Sequence, residues 1–146
     1  MSFVRPIQQK PRYGSLTVAF VKVPLDVVGL SGAITTQDFL FDTGCQITTV
    51  SEDIAAALGL PPDDGTRRVR VTGSAGKSAG RLVGVTFCFP TTVSGMPGLE
   101  VSSTWVVVSG QTKLALLGFQ EVHQHFSVRT YEFDVYFVPW RTLTGR

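Results

Sequence analysis

Phe39-Leu40-Phe41-Asp42-Thr43-Gly44-Cys45 is the stretch on which the fold turns. An apolar run leads directly into a carboxylate, then a small hydroxyl residue, then a glycine. Ending an apolar strand on an aspartate is costly unless the carboxylate is paired or hydrogen-bonded. A glycine two residues later lets the backbone turn sharply and lets a ligand come close. Taken alone, Asp42-Thr43-Gly44 reads first as a strand end closed by an Asx-type turn. Its surroundings decide whether it is more than that.

On both sides of this stretch, β signals dominate. Ile34 to Phe41 predicts the strand that delivers Asp42, and Gln46 to Val50 a short strand after it. Upstream, Leu16 to Val23 is rich in β-branched and aromatic residues, Pro24 closes that run or marks an edge, and Gly29 to Gly32 reads as a turn. Downstream, Ser51 is a good N-cap, Glu52 and Asp53 favour a helix start, Ile54, Ala55, Ala57 and Leu58 give it an apolar face, and Gly59 with Pro61-Pro62 ends it. Arg67 to Thr72 alternates, with Val69 and Val71 opposite Arg68 and Arg70. Gly73 to Gly80 reads as a small-residue turn, followed by a strand over Arg81 to Phe89. Val101 to Val108, Lys113 to Leu117 and Phe133 to Val138 are further strands, and Phe119 to Phe126 a short helix. The expected class is all-β, mainly antiparallel, with one or two short helices, in a single domain over 1–146 whose core spans about 16–138.

Composition narrows the function. The chain has 146 residues, 43% hydrophobic and only 16% charged, which excludes a disordered, solvated chain. A net charge of +2 gives no case for nucleic acid or an anionic membrane as main partner. Leu16 to Leu30 carries Lys22, Pro24 and Asp26, so it is not a membrane span. Two cysteines, Cys45 and Cys88, make no disulfide framework. With no signal peptide evident before Arg5, the expected compartment is the cytoplasm, and Met1 suggests a standalone product.

The flanks of Asp42 resemble the active-site region of retropepsin-like aspartic proteases: two apolar residues, Asp-Thr-Gly, a small residue, then a Thr/Val strand, here Cys45-Gln46-Ile47-Thr48-Thr49-Val50. Leu114-Ala115-Leu116-Leu117-Gly118 before a helical run is similar to the family's second signature, whose strand crosses the Asp-Thr-Gly loop. Between the two lies a glycine-rich hairpin where the family has its flap. The order matches from roughly Leu16 to Val138. The resemblance implies a closed β-barrel acid-protease fold, one lobe per chain, with no cofactor and no metal. Asp-Thr-Gly occurs once, and the chemistry needs two carboxylates, so it implies a homodimer with Asp42 from each subunit on the axis, acting on a polypeptide substrate. Thr43 would hydrogen-bond across the axis. Gly44 and Cys45 would face the substrate, and Ser74, Ala75 and Gly76 would form the flap tip.

Two departures stand out. Cys45 occupies a place where the family usually has Ala or Ser. A Ser there can hydrogen-bond the catalytic carboxylate, and a thiol is the weaker donor, so the pair is expected to titrate higher than after Cys45→Ser. The plainer reading makes Cys45 a small buried apolar residue. Retroviral members often pair an Arg after the late glycine with an Asp after Asp-Thr-Gly. Phe119 and Gln46 stand there, so both partners are absent together.

Other constellations lead nowhere. Gly73-Ser74-Ala75-Gly76-Lys77-Ser78 has Val71 where a phosphate loop needs its first glycine, and no helix follows. His123 and His125 lack a Cys or Glu cluster to complete a zinc site. Arg67, Arg68 and Arg70 read as a solvated strand face, Trp105 and Trp140 as core or interface anchors, and Cys88 as packing. A rival to the enzyme reading is a catalytically silent homodimeric peptide-binding or scaffold module on the same fold.

Overall fold

The computed structural model describes residues 3–11, 17–73, 76–89, 100–110 and 113–140. Its strands are β1 (Phe3–Pro6), β2 (Gln8–Pro11), β3 (Thr17–Phe20), β4 (Lys22–Val28), β5 (Ile34–Asp42), β6 (Thr49–Val50), β7 (Arg68–Gly73), β8 (Gly76–Cys88), β9 (Glu100–Ser109), β10 (Leu116–Gly118), β11 (Phe126–Tyr131) and β12 (Asp134–Pro139). Two short helices, α1 (Glu52–Ala57) and α2 (Phe119–His125), complete the described elements.

The main sheet runs β4-β5-β10-β6-β9-β8-β7, and β4 also pairs with β8. That extra pairing closes six of the strands into a barrel, which removes most of the exposed sheet edge. Pairing is mainly antiparallel, but β10 runs parallel to β5 and β6 parallel to β9. A second sheet, β1-β12-β11, covers one side, and β2 and β3 form a separate hairpin.

Period-two patterning drives the barrel. In β4, Val23, Leu25 and Val27 are fully buried while Lys22 and Asp26 are exposed. Pro24 falls inside this strand rather than ending it. It is tolerated because β4 has only β5 beside it at that level; β8 joins from Asp26 onward. Val83, Val85, Phe87 and Phe89 all face the core, as the alternation predicts.

The β1-β12-β11 sheet seats on the barrel through aromatic rings. Phe3 stacks on Phe137 at 4.4 Å between centroids, and Phe126 meets Phe3 edge-on at 5.3 Å. Phe41, one residue before Asp42, touches Phe137 at 5.6 Å. The strand that carries Asp42 is thus backed by this cluster.

α1 starts where its cap predicts: Ser51 Oγ accepts from the Ile54 N–H at 3.2 Å. Arg81, a buried residue of β8, donates from Nε and Nη2 to the two Glu52 carboxylate oxygens at 3.0 and 2.9 Å, and from Nη1 to Pro61 O at 2.8 Å. One guanidinium therefore fastens both ends of the helical segment to the barrel. At α2, the Thr104 hydroxyl donates to the buried Glu121.

Three expectations need correction. The turn expected over Gly73 to Gly80 is mostly strand: β7 and β8 pair down to Gly73 opposite Gly76. Pairing of Ser78 with Val71 and Gly80 with Val69 imposes strand on residues with little strand propensity of their own. The strand expected from Gln46 is only Thr49–Val50, because Gln46 to Thr48 belong to the loop that wraps Gly118. Lys113 to Leu117 contributes strand only from Leu116. β1, β2 and β11 lie outside the strands predicted from sequence. Among the described residues, no helix is long and apolar enough to cross a membrane.

Candidate active site

Asp42 ends β5 half-buried, and Thr43 and Gly44 beyond it are exposed. The Gly44 N–H donates to Asp42 Oδ1 at 2.9 Å and the Cys45 N–H to the Asp42 carbonyl at 3.1 Å. This is an Asx-type turn, so the plain structural reading of the tripeptide and the functional one describe the same geometry. Asp42 Oδ2 makes no hydrogen bond among the described residues, which leaves one carboxylate oxygen open to a ligand.

The loop is held from below by β10. Leu116 pairs with Leu40, Leu117 with Phe41 and Gly118 with Asp42. The Gly118 N–H donates at 3.0 Å to Oγ1 of Thr48, a residue with no exposure at all. A Cβ at Gly118 would lie 2.5 Å from both Ile47 C and Thr48 N, so no other residue fits against this loop. The Phe119 N–H then donates to Cys45 O at 2.8 Å and the Gln120 N–H to Gln46 O at 3.1 Å. At the positions where retroviral members place an ion pair, two backbone hydrogen bonds join the same segments.

Cys45 does not reach the carboxylate. Its thiol donates to Ile47 O at 3.0 Å and lies 3.6 Å from Thr49 Oγ1, which itself donates to Ile47 O at 2.8 Å. Burial pushes the Cys45 thiol above its ordinary value; the Thr49 hydrogen bond opposes this, and the nearby Asp42 charge adds to it. The thiol is a packing and loop-bracing group, so the expected influence on Asp42 through a weak direct hydrogen bond has no geometric basis here.

A cleft of about 880 Å³ opens beside Asp42. Phe20, Leu40, Phe41, Leu114 and Ala115 supply apolar wall, and Lys10, Lys22, Asp38 and Lys113 supply charge. This size suits several side chains of an extended ligand. Of the residues expected at the site, Asp42, Thr43, Gly44 and Cys45 come together in one loop. Gly76 is exposed at the end of the β7–β8 hairpin, and Ser74 and Ala75 lie outside the described residues. Sequence reading missed Thr48, whose only signal was a hydroxyl beside apolar neighbours. It also missed the three cleft lysines, for which local sequence holds no signal. No group of His, Cys, Asp and Glu suited to a metal occurs among the described residues.

A closed barrel with Asp-Thr-Gly seated against an apolar-apolar-Gly strand is the arrangement of the retropepsin-like aspartic proteases. The chain superposes on a solved retropepsin-like aspartic protease from Rickettsia conorii with a TM-score of 0.57 at 17% identity, over 94% of this chain and 90% of that one. A family model described as aspartyl protease matches residues 23–120. The chain therefore belongs to the aspartyl protease family, with a retropepsin-like fold. No curated protein matches it in sequence.

Proposed function

We propose that the protein is a homodimeric aspartic endopeptidase, with residues 1–146 acting as one protease domain and Asp42 supplied by each of two subunits. The observation that carries this reading is the Asp42 turn. It is braced from below by Gly118 and Thr48, it is open at Oδ2, and it provides one carboxylate per chain.

Two such carboxylates face to face share one proton, because like charges that close do not both ionise. The ionised carboxylate takes a proton from a water, and that oxygen attacks the scissile carbonyl carbon. The protonated carboxylate hydrogen-bonds the carbonyl oxygen as charge develops there. Proton transfer to the amide nitrogen then lets the C–N bond break and releases amine and acid. The pH dependence belongs to the pair rather than to either residue. Thr43, exposed in the single chain, bridges to the partner loop. Gly44 and Cys45 border the bound chain, and the hairpin tip with Ser74, Ala75 and Gly76 closes over it, excluding water. The working compartment on this reading is the cytoplasm.

Incubating wild type and Asp42→Asn with a diverse peptide library from acidic to neutral pH, with cleavage sites read by mass spectrometry, tests it. Cleavage by wild type and a loss of at least about a hundredfold in Asp42→Asn is the expected result. Equal cleavage by both removes Asp42 from the chemistry. No cleavage by a well-folded wild-type dimer favours the binding-module alternative.

A further inference from the structure

The chain contains four lysines, at 10, 22, 77 and 113, against nine arginines. Three of those lysines line the cleft beside Asp42. The fourth, Lys77, pairs with Thr72 one step from the end of the β7–β8 hairpin and is exposed. Among the described residues, no arginine lines the cleft. Lysine is a compact charge on a flexible stem, suited to following a mobile, solvated ligand group, whereas arginine suits fixed bidentate pairs such as Arg81 with Glu52.

Strand register orders the charges along the cleft. Asp38, Leu40 and Asp42 share one face of β5, since alternate residues do so. Lys22 pairs opposite Leu40, with its ammonium 5.9 Å from the Phe20 ring centroid. Asp38 pairs opposite Pro24, one step further out, roughly 13 Å along the strand from Asp42. Lys22 therefore lies between Asp42 and Asp38, the other carboxylate that lines the cleft among the described residues. The Leu40 N–H donates to Ala115 O, which places Lys113, two residues earlier, along the other side of β5. Lys10 projects from the β2–β3 hairpin, which supplies Ala19 and Phe20 to the same cleft. All three lysines are exposed, and none is engaged in a salt bridge among the described residues.

We infer that this cleft selects polypeptide segments carrying an acidic side chain close to the scissile bond, with Lys10, Lys22 and Lys113 as specificity-determining residues. The inference rests on the protease reading and adds its substrate class. Apolar wall from Phe20, Leu40 and Leu114 contacts the extended chain, and the lysines meet a carboxylate at the cleft margin. Because the pairs are solvent-exposed, selection is modest and is screened by salt.

The test pairs cleavage with binding. Fluorescein-labelled decapeptides of Ala, Val and Leu, with Glu or Lys placed at successive positions, are digested by wild type. Their binding to Asp42→Asn is read by anisotropy. The same is done for Lys10→Glu/Lys113→Glu, and for Lys10→Gln/Lys113→Gln as the mild counterpart. The expected result is a roughly fivefold or greater preference for Glu-bearing peptides, fading with salt, weakened by the Gln pair, in which Lys22 remains, and inverted by the Glu pair. Cleavage by wild type without charge preference overturns the inference and leaves the role of Asp42 standing. Binding that prefers Glu and inverts on charge reversal, with no cleavage of any peptide, supports the charge selection and overturns the protease reading. Neither cleavage nor charge-dependent binding overturns both.

Discussion

Gly118 and Gly76 sit in the two regions that the sequence marks as glycine-dependent, yet they need glycine for opposite reasons. Gly118 is hemmed in, with Ile47 and Thr48 backbone 2.5 Å from where a Cβ would be. Among the described residues nothing lies within 4 Å of the Cβ position at Gly76, but its φ is +105°, where an L side chain is strained. The first is a packing requirement that presses β10 against the Asp42 loop. The second is a conformational requirement at the end of an exposed hairpin. The floor under the Asp42 loop is therefore set by contact, and the conformation at Gly76 by its backbone.

Substitutions at these positions separate contact from strain. Gly118→Ala is expected to be the most damaging change, costing at least about 3 kcal/mol or preventing folding, because backbone must move on both sides. Urea unfolding checks it, and a near-neutral outcome would mean that the loop is not held by contact. Arg81→Met comes next. Its loss releases Glu52 and Pro61 from the barrel and is expected to cost about 2–3 kcal/mol. Thr48→Val strands the Gly118 N–H and is expected to cost about 1–3 kcal/mol, with kcat falling further than KM rises if the loop positions the carboxylate.

Gly76→Ala is expected to cost only about 1 kcal/mol, since strain without a clash is its sole defect. A cost equal to that of Gly118→Ala would mean that the hairpin end is held by packing as tightly as the Asp42 floor. Smaller still is the pH effect at Glu52. The Arg81 hydrogen bond holds its carboxyl below the usual range. A depressed folded value contributes stability that is present above the unfolded value and lost as pH falls through the folded one. Wild type is therefore expected to lose slightly more stability than Glu52→Gln on acidification below about pH 4.3. The difference stays under about 1 kcal/mol because the group is solvent-exposed. Thermal melts across that window check it. Cys45→Ser is expected to leave the pH profile of cleavage unchanged, because either side chain can donate to Ile47 O.

Much of the barrel was legible because burial writes itself into alternation. Val23-Leu25-Val27 and Val83-Val85-Phe87 are buried as a period of two requires. α1 was legible from Ser51 and its acidic first turn, since caps act within a few residues. The hairpin strands through Ser78, Ala79 and Gly80 were not, because their own residues carry no strand signal and cross-strand partners impose the conformation. β1 was missed for a related reason: one buried residue, Phe3, gives no pattern, though its ring anchors a whole sheet.

At the site, the local sequence determined what acts within a turn: the Asp42 carboxylate at a strand end, the Asx turn with Gly44, and a glycine before α2. Such features depend on side chains reaching their own backbone two or three residues away. The pairing of distant strands is what sets Gly118 level with Asp42, lets Thr48 accept its N–H, and gathers Lys10, Lys22 and Lys113 in one cleft. Those juxtapositions span up to about a hundred residues of chain. They are set by which strands pair when the barrel closes, and that pairing follows from burying apolar surface across the whole chain rather than from any one segment.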